Sequence, residues 1–126
     1  GTSNIHFEKI TNNELIVSVA NKRKVRNHIG QVHAAAMALL AETATGILVG
    51  YNLPDDKLPL IKTMNINFVR RTKGAIKAVA TLTDEQILNI METDKGEVSV
   101  AVKVTDETDN EVIKAEMIWA WIPKKK

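Results

Sequence analysis

Cysteine is absent from the 126-residue sequence, which excludes disulfides, thiolate catalysis and cysteine-ligated metal sites. A reducing compartment is therefore allowed, and since no signal peptide is visible we expect a cytoplasmic protein. An excess of charge is also missing. The formal net charge is only +2, too small to make nucleic-acid binding the expected function, and we expect no bound metal or cofactor. Hydrophobic residues make up 44% of the chain and charged residues 25%, which indicates one globular domain over residues 1–126.

Charge is nearly absent from residues 27–54, where Glu42 is the only Asp, Glu, Lys or Arg. A membrane span of about 20 residues would fit this stretch by length. However, polar residues interrupt the stretch, and Glu42 would lie near mid-bilayer at a cost of a few kcal/mol. We therefore expect no membrane contact and a buried helix, from roughly Gln31 or His33 to Gly50. This helix has no broad polar face, so we expect a second copy of the chain to cover what one sheet leaves exposed, in a homodimer or a dimer of dimers.

Strand-like alternation dominates the rest of the chain. Residues 5–20 predict a hairpin that turns at Asn12-Asn13. After the helix, strands are predicted over residues 60–70, 75–82 and 98–104 and after a turn at residues 108–110. In the first of these, one face is predicted to carry Leu60, Met64, Ile66 and Phe68. The fold class is therefore α+β, with an antiparallel sheet wrapped around one long central helix.

Between two of these strands, residues 83–86 have the S/T-x-x-E/Q form of a capping box. This form is typical of the start of a helix. Residues 84–91 are therefore either a short helix or an irregular excursion.

Glu42 is the strongest candidate for chemistry. A carboxylate in apolar surroundings must be paired or have a raised pKa, and a raised pKa suits a general acid or base near neutral pH. The alternative is a structural acid bonded to a helix N-terminus or to a partner side chain, and the residue alone does not decide between the two. Helical spacing places Gln31, Ala34, Ala35 and Ala38 on the same face as Glu42. These small or neutral groups leave room for a ligand, or simply let the helix pack closely.

The junction between loop and helix is a second candidate. Free backbone N–H groups at a helix start can bind an oxyanion, with help from the helix dipole. Asn27 and His33 could orient a carbonyl or a water molecule there. Equally, a histidine beside a helix start is often a cap or a packed polar residue.

Three stretches resemble a known enzyme family. N-x-x-G-x-x-H-A-A at residues 27–35 and L-A-E-T-A-x-G at residues 40–46 are similar to the signature of hot-dog-fold acyl-CoA thioesterases. That signature is Asn…Gly-x-x-His-Gly-Gly…Leu-Ala-(Asp/Glu), as in the phenylacetyl-CoA and 4-hydroxybenzoyl-CoA thioesterase types. I-N-F-V-R-R-T-K-G at residues 66–74 resembles the strand that follows the helix in those enzymes. The chain is closest to an uncharacterised branch of this superfamily.

This resemblance implies a hot-dog fold, hydrolysis of an acyl-CoA thioester and a set of site residues. Glu42 matches the helix carboxylate that acts as nucleophile or general base, and Ala34 falls where a backbone N–H polarises the thioester carbonyl. Asn27 matches the residue that helps to hold the lytic water or the carbonyl, and His33 matches the motif histidine. Gly30 and Ala35 complete the motif beside the substrate.

One departure from the family pattern concerns the substrate approach. Ala34-Ala35 replaces the Gly-Gly pair of the motif, so two methyl groups narrow the approach to the oxyanion N–H. This change favours an alternative, a non-catalytic acyl-CoA or lipid-binding module of the same fold. A hot-dog hydratase or dehydratase is a third class, but the Asp-x-x-x-x-His spacing is absent.

Coenzyme A also gives the basic residues a role. Its phosphates suit the arginine fork, so Arg70, Arg71 and Lys73 are predicted to bind substrate, with residues 22–26 as a second basic cluster. The alternative for any one of them is a solvated strand end.

Overall fold

A computed structural model describes residues 5–19, 29–69 and 74–124, with the side chains of residues 29–35 excepted. The described chain contains six strands and two helices in the predicted order. They are β1 (Ile5–Ile10), β2 (Glu14–Val19), α1 (Ile29–Asn52), β3 (Lys57–Phe68), β4 (Ile76–Thr81), α2 (Asp84–Glu92), β5 (Gly96–Asp106) and β6 (Glu111–Pro123).

The six strands form one antiparallel sheet in the order β1-β2-β4-β5-β6-β3. Helix α1 packs across one face of this sheet and touches every strand from β2 to β6. Although α1 connects β2 to β3 in the chain, these two strands are not neighbours in the sheet. β2 pairs with β4, and β3 lies at the far edge beside β6. The predicted α+β architecture, one sheet curved around one long helix, is confirmed.

The core lies between α1 and the inner face of the sheet. The predicted alternation of β5 is confirmed, since Val98, Val100, Val102 and Val104 are buried and the residues between them are mostly exposed. On β6, Met117 and Trp121 are fully buried on the same inner face. The indole N–H of Trp121 donates to the Thr93 carbonyl at 2.8 Å, so this buried donor is satisfied.

The capping box forms as the sequence predicts, and it settles the alternative in favour of a helix. The Thr83 hydroxyl accepts from the Gln86 backbone N–H at 3.1 Å, and the Gln86 side chain accepts from the Thr83 N–H at 2.9 Å. These two bonds satisfy donors that a helix start leaves free, and α2 follows directly.

The predicted face of β3 is wrong at Leu60. A register shift between Ile61 and Thr63 interrupts the pairing with β6, so that Leu60 pairs with Ala120 but Met64 pairs with Met117. Consecutive residues of a strand point to opposite faces, and Ala120 and Met117 lie three residues apart on a regular strand. Leu60 therefore faces away from α1, whereas Met64, Ile66 and Phe68 face the inner side, because a bulge inserts one extra residue between them.

Helix α1 is only partly covered. Its sheet-facing residues Leu40, Ala41, Ala44 and Leu48 are at most 2% exposed. On other sides of the same helix, Leu39 is 61% and Tyr51 52% exposed. The expected cover by a second copy of the chain therefore stays a prediction. Neither described helix is long and apolar enough to cross a membrane.

Candidate functional site

Glu42 lies at the boundary between the buried and the open sides of α1. Its neighbour Ala41 is fully buried, Leu39 one turn earlier is 61% exposed, and Glu42 itself is half-buried. Among the residues that the structure describes, none gives the Glu42 carboxylate a hydrogen bond or an ion pair. The carboxylate is thus partly accessible from outside, and no described residue binds it.

The helical turn that carries Glu42 is tied to β6. The hydroxyl of Thr45 is buried and lies 2.9 Å from the carbonyl oxygen of Ala41 and 3.2 Å from that of Glu42. The same hydroxyl oxygen accepts a hydrogen bond from the indole N–H of Trp119 at 2.8 Å. The ring of Trp119 lies against Gly46, where an added Cβ would come within 2.7 Å of the ring atom Cζ2. Glycine at this position is what allows the indole to approach the helix.

Thr45 and Trp119 were not among the predicted site residues. Their positions in the sequence are 74 residues apart, and nothing in the local patterns of either segment indicates that they meet. A weak signal for the helix side of this contact did exist, because Thr45 and Gly46 lie one turn after the only charged residue of α1. Both residues are therefore additions from the structure.

The observed start of α1 bears on the predicted oxyanion donor. The helix begins at Ile29, before the predicted Gln31 or His33. The first four N–H groups of a helix have no partner within it, so the free donors belong to residues 29–32. Ala34 is the sixth residue of α1, and its N–H faces the carbonyl of Gly30 in a regular helix. The role predicted for Ala34 stays a prediction, and it requires the first turn of α1 to open when substrate binds.

The structure describes the side chain of only one predicted catalytic residue, Glu42. Gly30, His33, Ala34 and Ala35 lie in the first two turns of α1, of which the backbone is described. Asn27, Arg70, Arg71 and Lys73 lie outside the described residues, as does the basic cluster at residues 22–26. Along α1, Glu42 is eight residues from Ala34, or about 12 Å at 1.5 Å per residue.

Metal ligands are not gathered in the described part of the chain. No group of three or more His, Cys, Asp or Glu side chains there could hold a metal ion. The chemistry that this arrangement supports is that of one half-buried carboxylate, acting as a proton acceptor or as a nucleophile.

Known structures share this fold. A Pseudomonas aeruginosa protein of unknown function, PA5026, described as a probable thioesterase, is 26% identical, with a TM-score of 0.80 over 94% of this chain and 83% of that one. The Haemophilus influenzae thioesterase HI1161 is 14% identical, with a TM-score of 0.72 over 97% of this chain and 80% of that one. The Bacillus halodurans protein BH2602, solved with CoA, is 22% identical, with a TM-score of 0.67 over 85% of this chain and 66% of that one.

At the level of sequence, the chain matches no curated protein significantly. The family described as "Domain of unknown function (DUF4442)" matches residues 1–122, which is nearly the whole chain. The likeness in fold to thioesterases confirms the predicted hot-dog architecture. The chain therefore belongs to the DUF4442 family, an uncharacterised branch of the hot-dog proteins that resemble thioesterases.

Proposed function

We propose that the protein hydrolyses an acyl-CoA thioester to the free acid and CoA, with Glu42 as its central catalytic residue. The observation that carries this proposal is the half-buried carboxylate of Glu42, which has no bonded partner among the described residues and lies in an otherwise uncharged stretch of α1. The thioesterase names of similar folds support the reaction class. The CoA bound to the Bacillus halodurans protein supports CoA as the thiol part of the substrate.

Two reaction routes are open to a single carboxylate. As a general base, Glu42 takes a proton from water while the water oxygen attacks the carbonyl carbon. As a nucleophile, it attacks that carbon itself and forms a mixed anhydride, which water then hydrolyses. In both routes the tetrahedral oxyanion collapses, the C–S bond breaks, and the CoA thiolate leaves and takes up a proton. Backbone N–H groups that point at the developing oxyanion lower the barrier.

The spacing on α1 favours a catalytic site that is shared by two copies of the chain. Helical N–H groups point toward the N-terminus of the helix. A carbonyl oxygen bound by the N–H of Ala34 therefore lies beyond Ala34, roughly 15 Å along the axis from the Cα of Glu42. A glutamate side chain reaches about a third of this distance, and one bridging water adds about 3 Å. We therefore propose that Glu42 of one copy acts on a carbonyl held by the first turns of α1 of the other.

The remaining predicted residues are given roles within this proposal. Asn27 and His33 orient the carbonyl or the lytic water at the start of α1, where Gly30 and Ala35 border the substrate. Arg70, Arg71 and Lys73 bind the phosphates of CoA, for which the arginine fork is suited. The exposed apolar side chains of Leu39 and Met64, 61% and 43% exposed, offer surface to an acyl group or to the second copy.

Glu42→Gln tests the proposal directly. Glutamine keeps the volume but neither accepts the proton nor forms the anhydride, so kcat should fall roughly a thousandfold, equivalent to about 4 kcal/mol of transition-state stabilisation. The measurement is thioester hydrolysis over a panel of acyl-CoAs of different chain length and aromatic character. Glu116→Gln, the same change at an exposed position of the sheet, is the matched control and should keep parent activity. Turnover by Glu42→Gln equal to the parent would refute the catalytic role of Glu42.

A non-catalytic acyl-CoA-binding module is the second candidate. Two observations favour it, the Ala34-Ala35 pair in place of two glycines and the position of Ala34 inside the regular helix. Such a module would bind members of the acyl-CoA panel, measured by calorimetry, without hydrolysing any of them. Parent protein that binds but never releases CoA would decide in favour of this alternative.

A further inference from the structure

Two side chains outside the predicted catalytic set lie directly beside the turn that carries Glu42. Thr45 is fully buried, and its hydroxyl contacts the Glu42 carbonyl oxygen at 3.2 Å and the Ala41 carbonyl oxygen at 2.9 Å. Trp119, on β6, donates its indole N–H to that hydroxyl at 2.8 Å. The hydroxyl thus connects the backbone of one helical turn with a side chain of the sheet.

We propose that the Thr45–Trp119 pair is a positioning device, which holds the turn of α1 that carries Glu42 at a fixed place on the sheet. This inference rests on the proposed function. Thr45 and Trp119 would touch no substrate atom and would act through the placement of the Glu42 carboxylate. Loss of the Thr45–Trp119 pair should therefore lower the rate of hydrolysis, because reaction rates respond steeply to small displacements of a catalytic group.

The hydrogen bonds of Thr45 connect the helix to the sheet and are not confined to the helix. A threonine in mid-helix often donates to the carbonyl four residues earlier, which alone bends the helix slightly and ties it to nothing. Here the hydroxyl oxygen of Thr45 also accepts a hydrogen bond from Trp119, which belongs to β6. Gly46 lets the indole approach so closely that an added Cβ would come within 2.8 Å of the ring atom Cη2 as well. The ring therefore contacts two adjacent helix positions, through a hydrogen bond at Thr45 and by close packing at Gly46.

A second hydrogen-bonded connection between α1 and the sheet, here called a tie, provides a matched control. Asn52, 7% exposed, donates to the Asn12 carbonyl at 2.9 Å and accepts from the Asn12 side chain at 2.8 Å. It fastens the end of α1 to the turn between β1 and β2. This tie also joins helix and sheet through buried polar groups, but it lies ten residues from Glu42, or about 15 Å along the axis.

The kinetic test compares Thr45→Val, Thr45→Ser and Asn52→Ala by acyl-CoA hydrolysis and by melting temperature. Thr45→Val keeps the shape and removes the hydroxyl, so we expect kcat to fall about ten- to a hundredfold with KM within about twofold. Thr45→Ser keeps the hydroxyl and should restore most of kcat. Asn52→Ala should lower the melting temperature and leave kcat near the parent value. If Thr45→Val and Asn52→Ala lower stability alike and both keep parent kcat, the pair is only a structural tie and the proposal is overturned.

Two further measurements separate this inference from the proposed function. In a Glu42→Gln background, Thr45→Val should leave the residual rate unchanged, since its effect passes through Glu42; a further tenfold loss there would overturn the positioning role. Independently of turnover, the carbon-13 resonance of the Glu42 side-chain carboxyl should move in Thr45→Val and Trp119→Phe but not in Asn52→Ala. Parent-like activity of Glu42→Gln would refute the hydrolytic proposal, whereas an unmoved carboxyl resonance would refute the positioning pair.

Discussion

Two glycines of α1 allow a sharp test of how the helix sits on the sheet. Gly46 and Gly50 lie four residues apart, and the same substitution to alanine meets different surroundings at each. An added Cβ at Gly46 would lie 2.7 Å from Cζ2 and 2.8 Å from Cη2 of Trp119, whereas at Gly50 no heavy atom lies within 4 Å. Contacts below 3.0 Å force the neighbour to move, and the indole is anchored by its bond to Thr45.

The magnitudes follow from these surroundings. Replacing glycine by alanine inside a helix gains about 0.5–1 kcal/mol of stability from propensity alone. At Gly46, overpacking against Trp119 costs about 1–3 kcal/mol, and a broken indole hydrogen bond adds about 1 kcal/mol. We therefore expect Gly50→Ala to be more stable than the parent and Gly46→Ala less stable. The two variants should differ by roughly 2–4 kcal/mol in free energy of unfolding.

Urea unfolding followed by tryptophan fluorescence measures both variants. All comparisons need one protein concentration, because association contributes to the apparent stability of an oligomer. Gly46→Ala with parent stability would show that the indole does not lie against the helix as described. A loss of stability in Gly50→Ala that depends on protein concentration would show instead that a second copy packs closely at Gly50.

Three further predictions concern assembly, substrate binding and pH. Sedimentation equilibrium at micromolar concentration should give a dimer or a larger assembly, and a stable monomer would contradict the two-copy site. Arg70→Ala or Arg71→Ala should raise KM for acyl-CoA more at low than at high salt, since exposed phosphate contacts are screened; unchanged KM at both ionic strengths would remove these arginines from the site. The Ser18 hydroxyl, at 2.7 Å, and Lys77, at 3.3 Å, lower the pKa of the exposed Glu8 carboxyl. Its contribution to stability should therefore be present above about pH 4.5, should be lost as pH falls through the lowered pKa, and should be absent from Glu8→Gln in acid unfolding.

Local patterns predicted most elements, because their physical causes are local. The alternating valines of β5 needed only the period of a half-buried strand, and the capping box at Thr83 needed only four residues. The bulge near Lys62 was missed, although Ile61 and Lys62 break the alternation between Leu60 and Met64 in the sequence. The extra residue itself is defined only by the pairing of β3 with β6. The position of β3 at the sheet edge is likewise a property of long-range pairing.

The candidate site also contains features with local causes, which the sequence can predict, and features that depend on long-range contacts. Glu42 could be found from the sequence because a single acid in an uncharged helix is a local anomaly. The first turn of α1 was placed two to four residues too late, because Gly30 suggests a break, although Asn27 is of a residue type that favours helix starts. The bond between Thr45 and Trp119 joins residues 74 apart, and such a contact depends on how α1 lies on the finished sheet.

The surroundings of Glu42 bear on whether it is a structural or a catalytic acid. A structural acid stabilises its fold through a bonded partner, and within the described residues the Glu42 carboxylate has none. Without such a partner, the charge of Glu42 makes no bond within the described residues that a neutral isostere would break. Glu42→Gln should therefore keep a melting temperature near that of the parent, while turnover is lost. The structural alternative gives the opposite pair of results, a lowered melting temperature with parent turnover, so the two measurements on one variant separate the alternatives.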